Sequence, residues 1–141
     1  MDHLAILSKE NDFLGKILSG TKTIESRWYK NRKPPFKAIA PSDTVYFKEA
    51  GAPVTAKAAV NRVMFFEDLD RKKIAGIISD YGPRIGIDES YAAKVIGKRY
   101  CTLIFLSDVK NIAPFQIDKK GYGNMAAWIT VENIDRIRLK A

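Results

Sequence analysis

One cysteine, Cys101, and one histidine, His3, are all the soft metal and redox chemistry the 141-residue sequence carries. A disulfide framework, a CxxC redox pair and a zinc site built from Cys and His ligands each need more, so all three are excluded. Only a carboxylate site of the magnesium or manganese kind is left open. Long apolar runs are missing too: stretches such as Cys101 to Leu106 fall far short of the ~20 residues of a membrane-spanning helix. The first residues, MDHLAILSKEND, carry an acid at position 2 and no cleavable apolar region. The expectation is a cytoplasmic chain without membrane association. No Walker lysine loop, GxSxG elbow, HExxH pair or dinucleotide glycine fingerprint occurs, which disfavours the chemistries those patterns serve. No cofactor and no metal is expected. Repeats, low-complexity tracts and Gly/Ser linkers are also lacking, so residues 1–141 read as one domain.

Basic residues are in excess, 24 Lys and Arg against 16 Asp and Glu, giving a formal charge of +8. A surplus of this size favours polyanionic partners without naming one. The 46% hydrophobic content is enough for a core at this length.

The periodicity alternates between strand and helix. His3 to Leu7 suits a short strand. Asn11 or Asp12 can cap a helix carrying Phe13, Leu14, Ile17 and Leu18 on one face, with Gly20 just past its end. From Thr23 the period becomes two, with Ile24 and Trp28 pointing inward opposite Glu25 and Arg27. Pro34-Pro35 predicts an extended loop before a strand at Asp43 to Lys48. Along Val54 to Phe66 the apolar phase shifts from Val54, Ala56, Ala58 and Val60 to Val63 and Phe65, as in a strand that bulges round a barrel corner. Asp68 or Asp70 caps a helix with Ile74, Ile77, Ile78 and Tyr81 on one face, ended by Gly82-Pro83. Asp88 to Ile96 predicts a second short helix. Arg99 to Val109 is apolar on both faces and so a central strand. Ala126 to Val131 and Ile134 to Leu139 read as closing strands. Together these elements predict an α+β fold, a small, partly open β-barrel with flanking helices.

The stretch ILSGTKTIESRW, Ile17 to Trp28, contains a helix end followed by GxKxxExR: Gly20, Lys22, Glu25 and Arg27. Together with SDTVYFKEAG at Ser42 to Gly51, it resembles the signature of the ASCH family, whose small barrel is similar to the PUA RNA-binding domain. The family's next strand usually opens on a Gly-Asp turn, where this chain has Ser42-Asp43. The resemblance implies a PUA-like fold handling RNA or nucleosides in a cleft beside the helix. It also admits hydrolysis of N4-acetylcytidine or cleavage of single-stranded RNA. Read from the residues alone, Lys22, Glu25 and Arg27 concentrate charge beside a helix C-terminus. They are either a ligand-binding set or an ordinary ion pair on a strand face.

Further candidates surround this stretch. Trp28 to Lys37 interleaves Lys30, Arg32, Lys33 and Lys37 with Trp28, Tyr29 and Phe36, the mixture that stacks on unpaired bases and tracks phosphates. The same aromatics serve equally as core anchors. Lys48 shares a face with Tyr46 that lines either the cleft or solvent. Tyr122 and Asn124 sit in a glycine-flanked turn that could approach a ligand or be only a turn. The expected partner is single-stranded or modified RNA, or a modified nucleoside, bound by Lys22, Glu25, Arg27, Trp28, Lys30, Arg32, Lys48, Tyr122 and Asn124. The alternative is a hydrolase of N4-acylated cytidine, or a ribonuclease, with Lys22 and Glu25 as catalytic residues. In the family's acetylcytidine hydrolases a threonine stands where this chain has Glu25, and the further carboxylate they need has only Glu67 and Glu89 as candidates. Helix capping accounts for Asp68 or Asp70.

Overall fold

The computed structural model describes residues 1–123 and 126–140. Six strands form one curled sheet, a half-barrel flanked by three helices. In chain order they are β1 (Asp2–Leu7), β2 (Ile24–Tyr29), β3 (Thr44–Glu49), β4 (Val54–Phe66), β5 (Tyr100–Phe115) and β6 (Trp128–Val131). The helices are α1 (Phe13–Ser19), α2 (Arg71–Ile85) and α3 (Ala92–Val95). Across the sheet the order is β2-β5-β4-β3-β1-β6. Neighbours are antiparallel except β1 and β3, which run parallel.

The expected α+β half-open barrel is what the chain forms, and the phase shift in β4 has its physical cause. Register breaks fall at Val54/Ala56, Lys57/Ala59 and Val60/Arg62. After the last, Val63 and Phe65 rejoin Ala56, Ala58 and Val60 on one side of the sheet while Met64 and Phe66 pack on the other. A bulge re-aims the side chains and bends the strand, which lets a six-stranded sheet curl. β5 is covered on both faces, as its composition predicts: Ile104 enters the cluster beneath α1, and Cys101 and Leu103 enter the one beneath α2.

Three local expectations are corrected. Gly82-Pro83 does not end α2, which runs on to Ile85 and is capped by Gly86 in the left-handed region (φ 85°). Carbonyl Gly82 accepts from both Gly86 N and Ile87 N, so the true cap lies four residues later, and Pro83 forfeits only one intrahelical bond. Ile134 to Leu139 is not a strand. Ile134–Arg136 is a 3-10 turn, and Ile134 and Ile137 are buried while Leu139 is exposed. Among the described residues only an isolated bridge, Ile117 to Arg138, gives this segment ladder pairing. The loop after β2 is not extended: Phe36 N donates to Lys33 O and Ala38 N to Pro35 O, turning Phe36 inward against Phe65 and Tyr100.

His3 is wholly buried on β1. Its Nδ1 lies 3.2 Å from Trp128 Nε1, which can only donate, so the ring proton sits on Nε2 and is given to Asp43 Oδ2 at 2.8 Å. Burial lowers the His3 pKa from 6.5, against the opposing pull of Asp43. The folded chain therefore resists a proton that the unfolded chain accepts. Stability is full well above pH 6.5 and falls as pH drops through that value towards the lower folded pKa. Urea unfolding between about pH 7.5 and about 5.5 should show this decline, at most about 1.4 kcal/mol per pH unit for one proton. His3→Gln should flatten it.

Candidate functional site

The turn that ends α1 builds the site. Gly20 takes φ 84° and its N–H reaches Ile17 O, stopping the helix abruptly. Lys22 N then donates to Lys16 O and Thr23 N to Arg84 O, so the chain enters β2 clamped between the ends of α1 and α2. Gly86 passes over the Lys22 stem, where a Cβ would meet Lys22 at 3.9 Å. Beyond this turn the strand's alternation puts Glu25 and Arg27 on one face and Ile24 and Trp28 on the other. Both faces are covered: Ile24 and Trp28 pack under α2 and α3, yet Glu25 is also 3% exposed.

Lys22, Glu25 and Arg27 form one buried network. Lys22 Nζ donates to Ile24 O at 2.9 Å and Ile85 O at 2.7 Å, and lies 3.4 Å from Glu25 Oε1. These are three acceptors for the three protons of an ammonium. Glu25 Oε1 also accepts from Ser26 N at 2.9 Å, and Oε2 from Arg27 Nη2 at 3.3 Å. Arg27 spans the opening of the half-barrel, donating from Nη1 to Ala127 O at 3.0 Å and from Nη2 to Ile6 O at 3.2 Å, with its guanidinium over the Trp128 ring. Burial by itself would hold the Glu25 proton on, but Lys22, Arg27 and the Ser26 N–H outweigh it and the pKa is lowered. Burial, with Arg27 and Lys16 adding to it, lowers Lys22 despite the attraction of Glu25.

Glu25, Arg27 and Trp28 line one hollow of about 360 Å³ with Tyr29, Tyr91 and Lys98. Lys22 lies behind Glu25 and outside that lining. The other sequence candidates are dispersed. Lys30 is exposed beyond β2, and Arg32 pairs with Glu67 at 2.8 Å near Phe36 and Tyr100. Lys48 is half-buried in register with Ile6, its pKa lowered by burial and by Lys119. Tyr122 is exposed in the turn after Lys119, and Asn124 lies outside the described residues. Neither Glu67 nor Glu89 reaches the hollow, and Asp70 caps α2 by accepting from Lys73 N. Among the described residues no three His, Cys, Asp or Glu side chains group as metal ligands.

Residues from the 90–98 segment were missed. Tyr91, Lys94 and Lys98 recur at helical spacing and all reach the hollow, with Phe13 from α1 opposite. An aromatic and two lysines three and four residues apart were a legible signal, but nothing in the sequence placed that face against β2.

The architecture has known counterparts. The ASCH protein of Zymomonas mobilis aligns with a TM-score of 0.66 and 20% identity over 93% of this chain and 87% of its own. A tyrosine-to-phenylalanine variant of it aligns with 0.69 and 19% over 96% and 93%. The chain has the ASCH fold. A serine-to-alanine variant of the same protein aligns with 0.70 at 19% identity. No protein-family model and no curated protein matches the sequence. No helix among the described residues is long and apolar enough to cross a membrane. In this ASCH fold the GxKxxExR residues join the α1 exit, the α2 end and both open edges of the sheet.

Removing the anion from that network leaves two buried cations facing each other. Glu25→Gln should cost about 3–5 kcal/mol, read as a shift in the urea unfolding midpoint. Replacing Lys22, Glu25 and Arg27 together by Met, Leu and Met should recover part of that loss.

Proposed function

We propose that the chain binds RNA by holding one unpaired or modified nucleoside in the hollow over Glu25 and Arg27. The observation that carries this reading is a carboxylate fixed in its charged form on the wall of a concave, aromatic-lined space. An ionised carboxylate offers about four lone-pair sites. Ser26, Lys22 and Arg27 use three of them, leaving one for a donor such as the exocyclic amine of cytosine. Tyr29 and Tyr91, with Trp28 beside them in the lining, supply aromatic surface for a base, and Lys94 and Lys98 supply positive charge for its phosphates. The +8 formal charge of the chain adds long-range attraction for a polyanion. The ASCH fold is consistent with this use, and membership of the ASCH family would unite the fold with the Gly20, Lys22, Glu25, Arg27 pattern.

Hydrolysis of an N4-acylated cytidine would require Lys22 to act as base or to activate a nucleophile. Its three protons already meet three acceptors, two of them backbone carbonyls, and its amine lies outside the hollow. A group so satisfied positions Glu25 better than it moves a proton. Binding is therefore the function this geometry favours.

Fluorescence anisotropy with a labelled single-stranded RNA tests the reading. Micromolar or tighter binding is expected, weakening steeply as salt rises. Lys98→Gln should reduce affinity about 3- to 10-fold and lower the salt slope by about one phosphate contact. Tyr29→Ala should reduce affinity with the salt slope unchanged, since stacking releases no counterions. Affinity indifferent to salt and to both substitutions would retire the proposal.

A further inference from the structure

A second hollow of about 400 Å³ adjoins the first. The two share Phe13, Tyr91 and Lys94, so they form one groove divided by a pair of rings. Each volume falls in the range of about 300–1,000 Å³ typical of small-molecule sites. The charge layout along the groove is uneven. Lys16 Nζ lies 5.7 Å from the Phe13 ring centroid and Lys94 Nζ 5.9 Å from that of Tyr91, placing a lysine of the groove lining on each ring of the divide, while the buried Lys22 Nζ lies 4.8 Å from the Phe13 centroid and outside the lining. Neither lysine makes an ion pair with a described residue. Asp88 also lines the second hollow; its carboxylate accepts from Ser90 N and Ser90 Oγ and is thereby fixed in place. Asn11 adds a side-chain amide able both to donate and to accept.

Two cations at a divide, with a hollow on either side and polar groups in each, match the repeat of a nucleic acid strand: base, phosphate, base. We propose that the groove has two nucleotide subsites, the bridging phosphate sitting between Lys16 and Lys94 and the second base in the hollow edged by Asn11, Asp88 and Ser90. This rests on the nucleoside reading of the first hollow and extends it, because the smallest ligand bound well becomes a dinucleotide step of RNA and not a free nucleoside. Lys16 and Lys94 supply the affinity common to all sequences, as phosphate contacts do, while Glu25 on one side and Asp88 with Asn11 on the other face base edges. The acid at the second hollow disfavours a phosphate there and directs that group back to the lysines.

Isothermal titration with cytidine, cytidine 3′-monophosphate and the dinucleotide CpC at one fixed salt concentration tests this. CpC is expected to bind at least about tenfold more tightly than cytidine, with the monophosphate in between. Lys16→Gln should bring the ratio of CpC to cytidine affinity down to about threefold or less. If the monophosphate recovers the whole gain, the second hollow takes no base and the two-subsite groove is overturned. Equal affinity for cytidine and CpC, or a ratio unmoved by Lys16→Gln, overturns it while leaving the first hollow's nucleoside binding intact. Failure of all three ligands to bind, together with failure of single-stranded RNA, removes the nucleoside reading itself.

Discussion

An anion held between two cations inside the fold is the constraint from which the rest of this molecule is organised. Glu25 is buried yet ionised because Lys22 and Arg27 reach it from opposite sides, and each cation is tied in turn to backbone carbonyls of separate elements. Lys22 fastens the end of α2, and Arg27 fastens β1 and the residue before β6. A half-barrel whose edge strands are β2 and β6 has an opening that no backbone ladder closes among the described residues. Arg27 crosses it with two donors of one rigid guanidinium, geometry a lysine could not supply. Desolvating three charges is expensive, and ion networks of this kind are as often retained for the arrangement they impose as for stability.

The same network makes the hollow possible. Because Arg27 and Lys22 saturate most of the Glu25 carboxylate, that group can stand beside a concave surface with a defined orientation and a spare acceptor. The aromatic walls are held just as firmly: Trp28 Nε1 donates to Ser26 Oγ, and Tyr91 packs 6.4 Å from the Trp28 ring. Rigid walls reduce the ordering cost of binding, which is where affinity for a small group is won or lost. The flexible parts of the site are the lysines of the rim, whose long stems suit the polyanionic ligand we propose.

Much of the fold was legible because its elements are short and strongly patterned. The β4 bulge showed as a shift of apolar phase, and the both-face apolarity of β5 marked it as central. Local rules gave way where they competed with a neighbour the sequence does not display. Gly82 permits close approach of the Ile87 backbone, 3.0 Å from a would-be Cβ, and so has a packing reason to lie inside a helix. Arg136 and Arg138 alternating with Ile137 and Leu139 imitated a strand, yet the pair that buries is Ile134 and Ile137, spaced by three where alternation requires two, and Leu139 is exposed.

Alone, the sequence determined the α+β class, the charge surplus and the Lys22, Glu25, Arg27 group, since residues so near in a tight helix exit and a strand have few ways to be apart. Tertiary structure alone decided what surrounds that group. It buried Lys22 behind Glu25, kept Arg32 and Lys48 out of the hollow, and brought in Phe13, Tyr91, Lys94 and Lys98. The reason is physical: a surface is made where distant segments pack, and which side chains meet there depends on how sheet curl and helix placement close the core, a property of the whole chain that no local pattern encodes.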